Sequence, residues 1–361
     1  MLTDFDLEYY TQVCEQRTFP EDFWNALGSR ALFAMLAQGT SLSEFIEKVV
    51  ELSRNVGTLS YLFIAQNIAT LMIKENFEEA QSILPELFSG KAYVSLALSE
   101  RESGNDAFSL ACQAKKENNE FLITGKKDYV TNAQLARFII VVTRTSQMEK
   151  KSLGLTALLV DTQKNREKIR FTQIEKMGLD FLKLYSVEFK ETSVPETWKI
   201  GKENHAWEVL VKYFNIDRLA LAAMLVGMGE TALKQAVSFA RKREVFGKPI
   251  GSYQALQLPL AECAIELSAS LALIHESLKR ESDPKSKEFG AVALACYAHA
   301  LKASQRAIDV SLQTLGAQGY LRRSALQALY RDVRYYAIGP LSQELVLANY
   351  AEKALGLPRS Y

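Results

Sequence analysis

The sequence predicts an α+β protein built as three consecutive parts: an N-terminal helical domain, a central β-barrel-like domain and a C-terminal four-helix bundle. Three observations carry this prediction. Apolar residues recur at helical spacing as far as Gly90. From about Lys91 they give way to short, β-branched or alternating runs separated by turn residues. Helical spacing returns near His205 and persists to Leu355. A period near 3.6 marks one face of a helix, and a period of 2 marks a strand. The boundaries are drawn at 1–90, 91–200 and 201–361.

In the first part, FPEDFWNALGSRALFAML, SLSEFIEKVVELSRNV, GTLSYLFIAQNIATLMIKE and FEEAQSILPELFSG read as helices. Phe45, Ile46, Val49, Val50 and Leu52 make one apolar stripe; Ser41 or Ser43 opens that helix, and Gly57 and Gly90 mark stops. The second part holds about seven strands, in YVSLALSE, SLACQAKK, EFLITGKKDYVTN, RFIIVVTR, LTALLVDT, IRFTQIEK and SVEFKETSVP. The continuously apolar ARFIIVVT predicts a strand covered on both faces. In the third part, helices are expected over roughly 205–243, 253–282, 287–316, 323–337 and 341–355. They are Ala- and Leu-rich and apolar on most faces, which predicts burial in a bundle and against another subunit.

The bulk properties exclude several classes. The 361 residues are 48% hydrophobic and 24% charged, enough for a sizeable core. A net charge of +1 implies no nucleic-acid partner. Cys14, Cys112, Cys263 and Cys296 form no CxxC pair, and His205, His275 and His299 share no ligand-like spacing with them, so no metal site and no disulfide framework is expected. The N-terminus has neither a basic n-region nor an apolar h-region. The apolar run around Leu219–Met228 falls short of the ~20 residues of a bilayer span. A soluble cytoplasmic protein without a membrane span is expected.

Chemistry enters with Arg241–Gln254, RKREVFGKPIGSYQ, between two long helical segments. Cations at a helix C-terminus and a Gly–Pro turn explain most of its composition. They do not explain the spacing of Arg243, Phe246 and Gln254. That pattern resembles the flavin-contacting turn of the acyl-CoA dehydrogenase family. Three further stretches resemble motifs of the same family, in the same order: Ser99–Asp106 (SERESGND), Gly125–Asn132 (GKKDYVTN) and Gln313–Tyr320 (QTLGAQGY), the last followed by Tyr330–Arg334. Together they run from Ser99 to Arg334.

The resemblance implies FAD as cofactor and an acyl thioester of coenzyme A or a carrier protein as substrate. In such enzymes a base removes the α-proton and the β-hydrogen leaves as hydride to flavin N5. Carried over residue by residue, it places the Leu98 backbone and Ser99 at the flavin's polar edge, Tyr129 beside the isoalloxazine and Thr131 near N5. Arg243, Phe246 and Gln254 would reach the FAD of a neighbouring subunit, and Gln313 its adenine half, implying a homodimer or homotetramer. Arg218 would contact the pantetheine or nucleotide region, and Asn105 would take the place of a Ser near the substrate's tail. The alternatives are that Tyr129 and Thr131 are ordinary alternating strand residues and that Arg243 is a solvated cation.

The sequence departs from the family at the base. The stretch that usually carries a Glu two residues before a Thr or Ser reads Gly339-Pro340-Leu341-Ser342-Gln343-Glu344 here. Pro340 has neither a titratable group nor an N–H. Ser342 remains as the cofactor-bonding hydroxyl, and Glu344 lies a helical turn away. Some members carry the base just before the Arg of an x-R-L stretch, which makes Asp217 the candidate. The competing reading is that Asp217 caps a helix over Arg218–Arg241, which would lower its pKa. The expected activity is FAD-dependent α,β-dehydrogenation of an acyl thioester. The alternative is a catalytically silent relative that binds FAD or an acyl ligand, or pairs with an active paralogue. The acyl group and the electron acceptor are not legible in the sequence.

Overall fold

The computed structural model describes residues 2, 4–280 and 283–359. Helices α1 (Leu7–Gln16), α2 (Glu21–Ser29), α3 (Leu42–Val56), α4 (Ser60–Asn76) and α5 (Leu84–Phe88) form the first layer. Ser41 caps α3 in a full capping box with Glu44. The single helix expected over Phe19–Leu36 is instead broken after Ser29, where Ala31 takes a left-handed φ of 55°.

The central strands are β1 (Val94–Ala97), β2 (Gln113–Glu117), β3 (Glu120–Thr131), β4 (Phe138–Arg144), β5 (Leu155–Asp161), β6 (Ile169–Ile174), β7 (Leu184–Pro195) and the short β8 (Lys199–Ile200). They join one mixed sheet ordered β6-β7-β3-β2-β4-β5-β8, with β1 parallel to β4. Strand β4 is buried along all but its last residue, as its unbroken apolar run requires.

The C-terminal layer begins with α6 (Ala206–Lys242), followed by a hairpin of β9 (Glu244–Val245) and β10 (Lys248–Pro249). Then come α7 (Gln254–Lys279), α8 (Lys287–Leu315), α9 (Ala317–Tyr320), α10 (Ala325–Tyr335) and α11 (Gln343–Leu355). Helix α6 is the hub, buried almost all round from Leu219 to Leu233. Gly227 permits this: a Cβ there would lie 1.9 Å from Ser53 Oγ on α3. Asp332 of α10 ties the layers together. Its carboxylate accepts from the Tyr10 hydroxyl at 2.8 Å, the Thr58 hydroxyl at 2.5 Å and the Leu179 N–H at 2.6 Å.

Helix α7 departs from the expectation of a buried bundle. Leu258 and Ile265 are 61% and 68% exposed, and the side chains buried from Leu260 to Ser277 form one stripe only. By length and apolar composition, the stretch Leu42–Asn76 and helix Gln254–Lys279 each suffice to cross a bilayer, which the sequence reading did not anticipate. The first is mostly buried within the fold, whereas most of the second is not.

Candidate active site

The expected flavin edge is assembled where β1 ends beside a distortion in β3. The register of β3 against β7 shifts between Lys127 and Val130, and Tyr129 there has a φ of 63°. A bulge turns a side chain out of strict alternation, and a left-handed tyrosine is held only where its surroundings fix it. Tyr129 is therefore not an ordinary alternating strand residue; it stands 51% exposed. The clamp is Lys127. Its buried ammonium donates to the Leu98 carbonyl at 2.9 Å and to Glu100 at 2.8 Å. Burial pulls that ammonium's pKa down, while Cys112 and Glu100 oppose the shift. Glu100 also accepts from the N–H groups of Ala111 at 2.7 Å and Cys112 at 3.0 Å. The Asp128 N–H bonds the Ser99 carbonyl at 3.0 Å. Leu98 and Ser99 are thus fixed against the bulge that carries Tyr129. Two residues on, Thr131 closes the strand, and its carbonyl accepts from Ser95 Oγ at 2.7 Å.

The structure overturns the reading of Asp217 as a helix cap. Helix α6 starts at Ala206, so Asp217 lies three turns inside it, where the amide hydrogens are already committed to helical bonds. No described residue donates a hydrogen bond to its carboxylate. Burial pushes its pKa up from 3.8 to about 7, with Arg218 pulling the other way. Adjacent helical residues point to different faces, so Arg218 neutralises it poorly. The Arg218 guanidinium instead donates to Asn215 Oδ1 at 2.8 Å.

Three tyrosines from three other helices feel the charge of Asp217: Tyr61 of α4, Tyr297 of α8 and Tyr335 of α10. Sequence reasoning missed all three, because nothing local distinguishes them from core aromatics. The Tyr297 hydroxyl donates to the Tyr336 carbonyl at 2.6 Å, which holds the turn leading to Gly339 and Pro340. Pro340 is exposed on that turn, and Glu344 is exposed in the first turn of α11. Ser342 caps α11, accepting the Leu345 N–H at 3.4 Å. Asn105 is exposed on the loop between β1 and β2.

The remaining predicted residues lie on the surface. Phe246 and Gly247, with φ of 53° and 78°, form the two-residue turn between β9 and β10. Two successive positive φ angles match the twist of a tight hairpin, and only Gly adopts them without cost. Phe246 is 93% exposed. Arg243 ends α6, Gln254 begins α7 and Gln313 lies on the last turn of α8; all three are exposed. The structure therefore separates the predicted residues into an interior group around Asp217, an edge group around Tyr129, and an exposed group on the hairpin and neighbouring helix ends.

This architecture, a helical N-terminal layer, a mixed-sheet middle domain and a helical C-terminal domain, is that of the acyl-CoA dehydrogenase fold. The chain matches the acyl-CoA dehydrogenase middle domain over residues 95–192 and the acyl-CoA dehydrogenase C-terminal domain over residues 204–355. It is 25% identical to acyl-CoA dehydrogenase FadE12 of Mycobacterium tuberculosis, over 100% of this chain and 94% of that protein. It is 29% identical to mitochondrial isovaleryl-CoA dehydrogenase of Oryza sativa, over 91% and 82%. Among solved structures, butyryl-CoA dehydrogenase from Megasphaera elsdenii superposes with a TM-score of 0.88 at 21% identity, over 96% of this chain and 92% of the other. The chain belongs to the acyl-CoA dehydrogenase family, which carries out FAD-dependent dehydrogenation of acyl-CoA.

Proposed function

We propose that this protein oxidises the Cα–Cβ bond of an acyl thioester, with Asp217 as the base. The observation that carries the reading is the Asp217 carboxylate: inside α6, without a hydrogen-bond donor among the described residues, and raised to about 7. A base works best with a pKa near the working pH, and desolvation supplies that here. FAD would supply the hydride acceptor. The residues present fit it. Leu98 and Ser99 offer a polar edge fixed by Lys127, Tyr129 offers an exposed ring held at a bulge, and Thr131 adds a hydroxyl at the strand end. Ser342, the cap of α11, would hold the cofactor through its hydroxyl. Arg243, Phe246, Gln254 and Gln313 serve the FAD of a second copy, so the working unit is a homo-oligomer. Arg218 and Asn105 bind the thioester's carrier end. Four buried free cysteines fit a cytoplasmic location.

The test is anaerobic reduction of the FAD-loaded protein by a panel of acyl-CoA thioesters, comparing wild type with Asp217→Asn. Reduction by wild type and its loss in the variant, with FAD retained, is the expected result. Equal rates would remove Asp217 from the mechanism. A second reading, a silent subunit that holds FAD and pairs with an active paralogue, is favoured by Pro340. It predicts a flavin spectrum with no reduction by any thioester.

A further inference from the structure

Taking a proton from the carbon beside a thioester carbonyl gathers negative charge on the carbonyl oxygen. A donor aimed at that oxygen supplies a large part of the rate. At the Gly339–Pro340 step of the turn no backbone donor is available: the Gly339 N–H is already bonded to the Tyr335 carbonyl at 2.9 Å, and Pro340 has none. Three phenols feel the charge of Asp217. Tyr297 is engaged, with its hydroxyl on the Tyr336 carbonyl at 2.6 Å and 3.5 Å from that of Gly339. The hydroxyls of Tyr61 and Tyr335 make no hydrogen bond among the described residues. Tyr335 is the last residue of α10, and its hydroxyl lies 3.0 Å from the point where a side chain on Gly339 would begin. Its ring packs edge-on against the buried Tyr336, with centroids 5.3 Å apart, which fixes its direction. Tyr335 as a whole is 39% exposed.

We propose that the Tyr335 hydroxyl is the hydrogen-bond donor to the thioester oxygen, in place of the backbone donor that the Gly339–Pro340 turn lacks. This inference rests on the acyl-thioester reading. The Cα–H bond breaks and its proton passes to the Asp217 carboxylate. The electron pair left on carbon forms the enolate double bond, and the carbonyl π pair moves to oxygen. Tyr335 donates to that oxygen and keeps its own proton. Burial and the neighbouring Asp217 charge both raise the Tyr335 pKa, which keeps the phenol protonated.

The test separates proton removal from hydride transfer. The FAD-loaded protein is incubated anaerobically in deuterium oxide with butyryl-, isovaleryl- and glutaryl-CoA, and deuterium entering the α-position is followed by mass spectrometry. Tyr335→Phe is expected to slow exchange about 100-fold, with the flavin spectrum and thioester affinity unchanged within about threefold. A second readout uses acetoacetyl-CoA, whose enolate absorbs. Its apparent pKa on the protein should rise by about two units in Tyr335→Phe, the equivalent of the 100-fold loss. Exchange in Tyr335→Phe within about threefold of an active wild type overturns the assignment. No exchange and no flavin reduction in wild type with any of these thioesters, despite bound FAD, overturns the acyl-thioester reading and this inference with it.

Discussion

Asp217 and Phe246 are carried by the same helix and its continuation, separated by roughly 40 Å of α6. Their surroundings differ completely. Asp217 is partly buried on α6, which packs against α4, α8 and α10 of its own chain, and burial raises its carboxylate pKa to about 7. Phe246 is 93% exposed at the tip of a hairpin, flanked by exposed Arg243 and Gln254. A pKa shift by desolvation needs low-dielectric surroundings that persist, so the chain builds them itself. A contact to a cofactor's edge needs only a presented side chain and can be lent to another copy. Helix α7 is likewise largely uncovered, with Leu258 and Ile265 exposed.

The comparison breaks most sharply at Asp217. Asp217→Asn should lower flavin reduction about 10³-fold while leaving FAD occupancy and assembly intact, read by anaerobic stopped-flow and absorbance. A comparable loss of FAD in that variant would mean the interior group is not independent of the cofactor edge.

Next in size is the support behind the interior group. Asp332→Ala leaves the Tyr10 and Thr58 hydroxyls and the Leu179 N–H without their acceptor, at a cost of about 3 kcal/mol. A clear fall in Tm is expected, together with a looser Tyr335–Tyr336 pair and a lower apparent pKa for flavin reduction. Wild-type Tm would refute the role given to Asp332.

The exposed group should behave in the opposite way. Phe246→Ala and Arg243→Ala are expected to change the fold's own stability by less than about 0.5 kcal/mol. FAD affinity should nevertheless fall about tenfold, the measure of one lost interface contact. Titrating FAD into the apo-protein and measuring mass in solution checks both. A variant that keeps full affinity as a monomer would assign the hairpin to the chain's own surface.

The smallest change in stability is a pH-dependent one, and it runs opposite in sign to the rate. The base must be ionised, so reduction should rise tenfold per pH unit up to about 7 and then level off. Stability runs the other way. The folded pKa of Asp217 stands above the ordinary 3.8, so between about 4 and 7 the folded chain retains a proton that the unfolded chain has lost. This contribution to stability is full below about 4, declines as pH rises through 7, and is flat beyond. Asp217→Asn should therefore raise Tm at pH 8 by about 2–4 °C and not at pH 4. Equal shifts at both pH values would show that the carboxylate is already ionised on folding.

Sequence alone determined the order of helical and strand layers, because periods of 3.6 and 2 are local properties of the chain. It also marked Asp217, through its place before Arg218 and Leu219, and the hairpin, through Arg243, Phe246, Gly247 and Gln254. Only the tertiary structure decided whether Asp217 caps a helix or lies within one, since that depends on α6 beginning at Ala206. It alone brought together Tyr61, Tyr297 and Tyr335, which are far apart in sequence and share no pattern. It also decided that α7, apolar by composition, is left half uncovered. Burial depends on what the rest of the chain places nearby, and no local window of sequence contains that information.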